Sequence, residues 1–332
     1  MKNLSIVIVS WNAKKFVDEC LGSLRTVSGQ SDVEIFVVDN CSTDGTPELV
    51  RESYPEVVLI QNQSNVGFAR ANNVGIARST GEYVALINSD VRVLPGCIEK
   101  MLAYMRSDSR VGLLGPRMLG ATGKSARSYM SAPTLWRCFC RALALDVVFP
   151  SSKALGSYTM PYFKRDQITE VDVLNGWFWM TRREALDEVG LLDETFFMYG
   201  EDIDWCKRFR DAGWKVVYFP EAESIHYGGA SSAKAPVRFY VEMQRANFQY
   251  WQKHFSRLSQ FAFLAIVALH QALRIIPYGL RAVIGTGRSD ACYKVQRSFA
   301  CLRWIMGLSG LFSAWDPARA LASNTSGKIS RP

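Results

Sequence analysis

The sequence lacks the two glycine-rich motifs that most often mark a nucleotide-binding site. No G-x-G-x-x-G follows the first apolar segment, and no G-x-x-x-x-G-K-[ST] occurs anywhere in the 332 residues. Both absences argue against dinucleotide-dependent dehydrogenases and P-loop enzymes. The eight cysteines show no spacing typical of a zinc site, and several lie in apolar segments. We therefore expect reduced thiols, as in a cytosol.

Long hydrophobic runs are also missing. No stretch of eighteen uncharged apolar residues occurs, so the sequence predicts no membrane span. The first apolar segment, LSIVIVSW, begins at Leu4 and is typical of a core strand, so we expect no secretory signal. With 48% hydrophobic and 21% charged residues, the composition is that of a globular protein. The length allows one large α/β domain with an appendage.

Acidic residues are scarce in the last part of the chain. Residues 236–332 contain 13 Lys and Arg but 3 Asp and Glu, a net charge of +10, whereas the whole chain carries +8. Residues 1–235 therefore carry about −2. The basic part is also rich in aromatic residues and leucine, which suits helices lying on an anionic bilayer or a helical bundle packed on the main domain. No nucleic-acid-binding module accompanies the charge.

The rest of the chain alternates short apolar runs with helical patterns. The runs LSIVIVSW, VEIFVVDN, VVLIQN and YVALINSD are each followed by a helical pattern, the first of which predicts a helix from about Lys14 to Val27. Beyond residue 170 the pattern returns, and VDVLNGWFWM predicts one strand. This alternation predicts an α/β fold with a mainly parallel central sheet and helices on both faces. We predict a main domain at 1–235, with halves of about 1–119 and 120–235, and a helical basic region at 236–332. Residues 120–170 show no clear pattern.

In such a sheet, ligands bind beyond the carboxyl ends of the strands. Polar residues follow three of the predicted strands at that edge: Ser10, Trp11 and Asn12, then Asp39 and Asn40, then Asn88, Ser89 and Asp90.

Asp39 ends the second predicted strand and runs into the turn NCSTDGT. A carboxylate at this place can accept the N3 proton of a pyrimidine base, although a turn or cap residue is the plainer interpretation. Arg70 begins a later helix, in NVGFARANN. It is either a solvated surface residue or a second contact to the base or the diphosphate.

The segment LINSD ends an apolar strand in three polar residues. Asn88 and Asp90 lie two positions apart, so their oxygen-bearing side chains share one side of the chain. That arrangement suits a hard divalent cation completed by a diphosphate and water, and it equally suits a strand-to-turn cap.

Three carboxylates crowd the segment YGEDIDW: Glu201, Asp202 and Asp204. At a helix start the macrodipole favours each by about 0.3–1 kcal/mol, which is the plain structural explanation. Position 204 lies about 200° around the helix from position 202, so these two side chains cannot point the same way. His226, one of three histidines, follows the strand KVVYFP in SIHYGGAS and is not accounted for by the helix start.

Five blocks, taken in order, carry a family resemblance: SIVIVSWN, VVDNCSTDGT, NVGFARANN, LINSD and MYGEDIDWCKRFRDAGWKVVYFPEAESIHYGGAS. Over about residues 1–235 the chain resembles family 2 inverting glycosyltransferases of the GT-A fold, in particular bacterial rhamnosyltransferase-like members. The resemblance implies transfer of a sugar from a nucleotide diphosphate donor. Many relatives have Asp where this chain has Asn88, so its metal motif carries one charge fewer.

The resemblance also implies roles for individual residues. Asp202 would be the general base, with Glu201 and Asp204 supporting it. Asp90 and His226 would bind a divalent metal, Mg²⁺ or Mn²⁺. The nucleotide sugar would contact the following side chains: Ser10, Asn12, Asp39, Arg70, Asn88 and Ser89. The segments NGWFWM and FFMY would form either the acceptor and sugar pocket or ordinary core.

The function implied is transfer of L-rhamnose from dTDP-rhamnose to a lipid-linked glycan in cell-surface polysaccharide synthesis. The enzyme would be cytoplasmic and peripheral at the inner face of the membrane, held by its basic region on anionic lipid. A UDP-hexose or UDP-galactofuranose donor is the alternative within the class. A sugar-phosphate nucleotidyltransferase would need a glycine-rich basic loop after LSIVIVSW, which is absent. A membrane-bound scaffold would need neither the acid cluster nor His226.

Overall fold

The computed structural model describes residues 2–25, 32–156, 160, 163, 165–228, 235–285 and 287–307. The strands are β1 (Leu4–Ser10), β2 (Val33–Asp39), β3 (Val58–Gln61), β4 (Tyr83–Asn88), β5 (Val91–Val93), β6 (Val111–Gly120), β7 (Ser125–Ala126), β8 (Tyr129–Met130), β9 (Thr169–Glu170), β10 (Val173–Leu174), β11 (Phe178–Arg182) and β12 (Lys215–His226). The helices are α1 (Lys14–Ser23), α2 (Thr46–Ser53), α3 (Phe68–Arg78), α4 (Cys97–Ser107), α5 (Leu135–Ala142), α6 (Leu145–Val148), α7 (Arg183–Val189), α8 (Glu201–Asp211), α9 (Pro236–His254), α10 (Arg257–Ile284) and α11 (Arg288–Ile305).

One mixed sheet organises the main part of the molecule. Its strand order is β3-β2-β1-β4-β11-β6-β12-β5, with β7 pairing β6 and β9 pairing β12. Strands β3, β2, β1 and β4 run parallel, whereas β11 lies antiparallel between β4 and β6. Strands β1 and β4 are almost continuously buried, as expected for central strands covered by helices on both faces. The predicted α/β class with a mainly parallel central sheet is confirmed.

Two predicted elements differ from the structure. The segment VDVLNGWFWM forms two strands, β10 and β11, rather than one. Between them the backbone turns at 175–177, where the N–H of Trp177 donates to the carbonyl of Asn175 at 2.8 Å. Conversely, KVVYFP and the start of SIHYGGAS form one long strand, β12, whose register with β6 shifts between Phe219 and Glu223. The predicted helix from Lys14 to Val27 ends at Ser23, and positions 26 and 27 lie outside the described residues.

Helix α9 packs into the main domain. Its side chains Ala246, Tyr250 and Trp251 are buried in one hydrophobic cluster together with Trp205 and Phe209 of α8. The start of the basic region therefore shares a core with residues before 235. The domain boundary at 235 stays a prediction.

Helix α10 is largely exposed by comparison. Phe263, Val267 and Gln271 are its buried residues, while large apolar side chains such as Ile276 and Val283 are more than two thirds exposed. Of the helices in the described residues, α10 alone is long and apolar enough to cross a membrane, judged by length and composition. Because Arg274 interrupts its apolar sequence, α10 contains no run of eighteen uncharged residues.

Candidate active site

Ser10, Asp39 and Asn88 stand at the carboxyl ends of β1, β2 and β4. Because Ser10 pairs with Asp39 and Val9 pairs with Asn88, the three residues lie side by side at one edge of the sheet. The Oγ of Ser10, the Oδ1 of Asp39 and the Oδ1 of Asn88 are buried and have no hydrogen-bond partner among the described residues. Buried polar atoms normally have partners. These three atoms are therefore suited to recognise a polar ligand.

The second carboxylate oxygen of Asp39 is already occupied. It accepts a hydrogen bond from the backbone N–H of Ser42 at 2.9 Å, which orients the carboxylate. Burial raises the pKa of Asp39, against the effect of its hydrogen bonds from Ser42. Asn12 ties this loop to the preceding one, since its Oδ1 accepts from the backbone N–H of Thr43 at 2.8 Å and its own N–H donates to Ser42 Oγ. Asn12 therefore shapes the loops that surround Asp39.

Arg70 lies at the rim of this edge, in the first turn of α3. Its side chain is 61% exposed, and its Nε lies 3.6 Å from Oε2 of Glu194. No hydrogen bond or ion pair joins Arg70 to Asp39 in the part of the chain that the structure describes. The guanidinium is held by an exposed ion pair of a kind that contributes little to stability. It can therefore exchange Glu194 for an anionic ligand at small cost.

Asp90 and His226 meet although they lie far apart in the sequence. His226 Nε2 lies 3.2 Å from Oδ1 of Asp90, and both side chains are mostly buried. Antiparallel pairing of β5 with β12 sets His226 opposite Val91, and the N–H of Tyr227 donates to the carbonyl of Asp90 at 3.0 Å. The indole of Trp177 stacks on the imidazole with ring centres 4.5 Å apart. Backbone and ring contacts thus hold one oxygen and one nitrogen ligand side by side.

The described residues contain no group of three or more His, Cys, Asp and Glu arranged to hold a metal ion. Asp90 and His226 therefore offer two potential metal ligands. Mg²⁺ is commonly bound in this way, by one or two protein groups together with substrate phosphates and waters. Ser89 lies in the same turn, between β4 and β5. The donor set fits a divalent cation whose remaining ligands come from a diphosphate.

Asp202 lies in the first turn of α8, after an unusual turn. Tyr199 has a φ of 69° and Gly200 a φ of 81°, a conformation rarely adopted by a bulky residue such as tyrosine. Backbone strain of this kind is often found at functional sites. The N–H of Ile203 donates to Oδ1 of Asp202 at 2.9 Å. The turn therefore delivers a carboxylate in a fixed orientation.

Burial is the main influence on the pKa of Asp202 and raises it, while backbone N–H groups, including that of Gly176, oppose the rise. A carboxylate with a raised pKa is a stronger base than an ordinary aspartate. Gly176 also links the two parts of the site, because its neighbour Trp177 stacks on His226 and accepts a hydrogen bond from the N–H of Asn88 at 3.0 Å. The turn at 175–177 thus connects Asp202 to the Asp90–His226 pair.

The other two acids of this helix have different surroundings. Glu201 is 6% exposed, and burial, followed by the charge of Asp202, raises its pKa. Asp204 is fully buried, in ion pairs with Arg208 at 2.9 Å and Lys253 at 2.8 Å and in a hydrogen bond with His254 at 2.7 Å. Asp204 therefore joins α8 to the end of α9. Any influence of Asp204 on Asp202 therefore acts through the position of α8.

A cavity of about 590 Å³ opens beside Asp202. It lies among α5, the start of α8, and α9, α10 and α11, and Tyr199 and Trp251 are among its lining residues. Three arginines also line it: Arg141, Arg274 and Arg297. The sequence interpretation did not single out this cavity, because its walls come from helices far apart in the chain. The sequence around Arg141, Arg274 and Arg297 carries no local signal that distinguishes them from solvated basic residues.

The aromatic segments divide between site and core. Trp177 belongs to the site, and Tyr199 lines the cavity. Phe178, Trp179 and Phe196 are buried core residues.

Comparison with known proteins agrees with this geometry. Residues 5–190 match the model of the family described as glycosyl transferase family 2. The N-acetylglucosaminyl-diphospho-decaprenol L-rhamnosyltransferase of Mycobacterium tuberculosis is 32% identical over 256 residues, which cover 74% of this chain and 82% of that protein. The dTDP-rhamnosyl transferase RfbF of Shigella flexneri is 24% identical over 93% of this chain and 97% of its own length.

A solved structure shows the same fold. The mannosyltransferase PcManGT of Pyrobaculum calidifontis, in complex with GDP-Man and Mn²⁺, superposes with a TM-score of 0.55 at 16% identity, covering 94% of this chain and 88% of that one. The family match covers more than half of the chain, and the strand order and site geometry described above accompany it. This protein belongs to glycosyl transferase family 2 and has the GT-A fold.

Proposed function

We propose that this glycosyltransferase moves L-rhamnose from dTDP-rhamnose, with inversion, to a lipid-linked glycan acceptor in cell-surface polysaccharide synthesis. The observation that carries the proposal is the connection of Asp202 to the Asp90–His226 pair through the turn at 175–177. Two relatives support the choice of sugar, since one is named a dTDP-rhamnosyl transferase and the other an L-rhamnosyltransferase. The latter name also specifies a diphospho-decaprenol, which supports a lipid-linked acceptor.

The strand ends would bind the nucleotide. The orphaned Oδ1 of Asp39 would accept the N3 proton of a pyrimidine base, while Ser42 holds the other oxygen of the same carboxylate. Ser10, Asn88 and Ser89 would complete this edge. Asn12 would act by fixing the loops, and Arg70 would leave Glu194 to pair with the donor's diphosphate.

Asp90 and His226 would hold a divalent cation, Mg²⁺ or Mn²⁺, as the two-ligand geometry suggests. When bound, this cation neutralises charge on the departing diphosphate. The stacked ring of Trp177 keeps the imidazole oriented for that task.

Asp202 would be the general base. As the acceptor oxygen forms its bond to the anomeric carbon, the bond from that carbon to the diphosphate oxygen breaks, and the acceptor's hydroxyl proton passes to the carboxylate of Asp202. Because burial raises its pKa, this carboxylate is matched to taking a proton near neutral pH. Glu201 and Asp204 would support this geometry without receiving the proton.

The exposed face of α10 would place the enzyme on a membrane. From Leu269 onward, exposed large apolar side chains recur every three or four residues along this helix: Leu269, Leu273, Ile276, Leu280 and Val283. Helix α5 packs against α10, and the residues after it expose Val147 and Val148. An apolar stripe on a basic helical region suits partial insertion into an anionic bilayer. We propose a cytoplasmic enzyme that is peripheral at the inner face of the membrane.

Donor screening tests the proposal directly. Purified protein, incubated with several dTDP-, UDP- and GDP-sugars and a synthetic lipid-diphosphate glycan, should release one nucleoside diphosphate and extend the acceptor by a deoxyhexose mass. Extension from UDP-hexose or UDP-galactofuranose instead would reject rhamnose while keeping the class. A complete lack of metal-dependent donor hydrolysis and transfer would favour a membrane-bound scaffold.

A further inference from the structure

Three arginines from three different helices line the cavity beside Asp202. Arg141 belongs to α5, Arg274 to α10 and Arg297 to α11. Asp202 is the one acidic residue among the described residues that line the cavity. The wall opposite the reaction centre is therefore strongly positive.

Arg297 is oriented by neighbouring aromatic rings, and its hydrogen-bonding capacity is only partly used. Its guanidinium lies over the ring of Tyr240 at 4.4 Å and near the ring of Tyr293 at 5.3 Å. Its Nε is buried without a hydrogen-bond partner among the described residues. Aromatic stacking holds an arginine in place while leaving N–H groups for a ligand.

Arg274 is half-buried and contacts neutral acceptors. Its Nη1 donates to the carbonyls of Ala142 and His270, both at 3.3 Å. Within the described residues, no carboxylate lies within 4.0 Å of Arg274 or Arg297. Two partly buried cations thus share a cavity without a close counter-charge, which is unfavourable unless an anion binds there.

The pKa of His270 shows that all three arginines lie close enough to influence the same group. Burial lowers its pKa to about 3, and the charges of Arg274, Arg141 and Arg297 act in the same direction. His270 is therefore neutral at physiological pH and adds no positive charge. The three guanidinium groups act together on one region of the cavity.

We propose that this cavity is the subsite for the acceptor's diphosphate, bound by Arg274 and Arg297 with Arg141 beside them. Arginine binds phosphate oxygens with paired, charge-assisted hydrogen bonds. The inference rests on the proposed function, because it assigns a subsite to the lipid-linked acceptor. A diphosphate bound there would direct the acceptor's sugar towards Asp202 and its lipid chain towards the exposed stripe of α10.

The donor also carries a diphosphate, but the described geometry favours the acceptor. Neither Asp90 nor His226 lines the cavity, so the arginines and the metal-binding pair face different spaces. Asp202 is the residue at which the donor side and the cavity approach each other. Two separate anion sites, one on each side of the base, match the two phosphorylated substrates.

A binding experiment tests the subsite without relying on catalysis. Full-length protein in EDTA is titrated calorimetrically with inorganic diphosphate, since removal of metal weakens binding at Asp90 and His226. R274Q/R297Q should bind at least tenfold more weakly than wild type. The matched control R257Q/R303Q also removes one positive charge from α10 and one from α11, at exposed positions outside the cavity, and should bind as wild type does. Equal affinity in R274Q/R297Q and wild type would overturn the proposal.

Kinetics then distinguish the acceptor's diphosphate from the donor's. With a lipid-diphosphate glycan, R274Q/R297Q should show a KM at least tenfold higher, whereas the same glycan on a neutral alkyl chain should react as with wild type. The KM for the nucleotide sugar should be unchanged. A raised donor KM, or an equal loss with both acceptors, would overturn the assignment to the acceptor.

The failure of the proposed function would look different. If no donor and acceptor pair supports transfer, weaker diphosphate binding by R274Q/R297Q still shows an anion site. Only the assignment of that site to a glycan acceptor is then rejected. If R274Q/R297Q unfolds, R297Q alone carries the test. R297K keeps the charge but loses the planar guanidinium, so it should bind diphosphate with intermediate affinity. Wild-type diphosphate affinity in R297Q would reject the subsite.

Discussion

The two sides of the candidate active site are built differently. The proposed donor side is an edge of the sheet, where strand pairing aligns Ser10, Asp39 and Asn88. The proposed acceptor side is a cavity among helices, lined by Arg141, Arg274 and other residues, most of them from five helices. One side depends on backbone hydrogen bonds between strands, and the other on side-chain packing between helices. Sheet register fixes positions closely, whereas packed helices can shift against each other.

This difference suggests a division of tasks. A nucleotide presents the same base and diphosphate in every reaction, so a rigid edge suits it. Glycan acceptors differ in size and linkage, and a cavity between helices can change by substitution without altering the sheet. Asp202 belongs to both sides, since it lines the cavity and faces the turn at 175–177. Loss of Asp202 should therefore have the largest effect on activity.

We expect D202N to lower kcat by about 10²–10⁴-fold, the usual contribution of general base catalysis. Donor affinity should remain close to that of wild type, because the amide keeps the shape but cannot take a proton. The measurement is kcat for transfer together with calorimetric binding of the nucleoside diphosphate. D211N, at the exposed end of the same helix, is the matched control and should retain full activity. If D202N keeps more than about a tenth of wild-type kcat, Asp202 is not the base.

The pH dependence sharpens this prediction. A base must be deprotonated to act, and burial raises the pKa of Asp202. Activity should therefore be lost as pH falls through that raised value, at a higher pH than for an ordinary aspartate with a pKa of about 3.9. A kcat profile that stays flat down to about pH 4 would contradict a buried base.

The next largest effect concerns protein stability and the contacts that hold α8 against α9. Asp204 is fully buried in contact with Arg208, Lys253 and His254, so D204A leaves partly buried positive charges without their partner. The free energy of unfolding should fall by about 3–5 kcal/mol. D290A breaks an exposed ion pair with Lys294 and should leave the free energy of unfolding nearly unchanged. Urea denaturation of both variants checks the comparison. Equal stability losses would show that Asp204 does not hold α8 to α9.

The same contrast explains what the sequence could predict. Strand ends are local features, so the residues at the donor edge could be named from apolar runs followed by Asp39 or Asn88. Asp90 and His226 could be paired only through the family resemblance, because antiparallel pairing of β5 with β12 brings them together.

The arginine-lined cavity could not be predicted from the sequence, for a physical reason. Which faces of α9, α10 and α11 turn inward depends on packing between distant segments. Arg274 and Arg297 therefore looked like two more solvated basic residues. The turn at 175–177 was also missed, although Asn175-Gly176 is a dipeptide typical of turns, because the apolar residues on both sides favoured one continuous strand.

A smaller effect is expected on the donor side. D90A and H226A should each weaken activation by Mg²⁺ or Mn²⁺ and raise the donor KM by about tenfold, or about 1.4 kcal/mol. Each variant removes one of two protein ligands, whereas the diphosphate and water supply the rest. The measurement is initial rate against metal concentration. D187A, on the exposed side of α7, should behave as wild type. Full wild-type activity in excess EDTA would reject the metal site.

The smallest effect should come from the exposed face of α10, where membrane attraction is spread over many weak contacts. Each basic residue near an anionic surface contributes about 1 kcal/mol, and salt screens this attraction. Purified protein should co-sediment with phosphatidylglycerol liposomes at low ionic strength and less as salt rises. I276S/L280S removes two exposed apolar side chains and should weaken binding and activity on a lipid-linked acceptor by a fewfold.

The matched control for that variant changes the acceptor rather than the protein. On a soluble glycan analogue, I276S/L280S should retain wild-type kcat, because Ile276 and Leu280 face away from the cavity lining. Such a result would show that α10 has two tasks, since Arg274 on the same helix faces the cavity. If the wild-type chain ignores anionic liposomes at low salt, the exposed stripe of α10 does not bind membrane. The acceptor side would then be built for a water-soluble glycan, and its contrast with the donor side would rest on the arginine cavity alone.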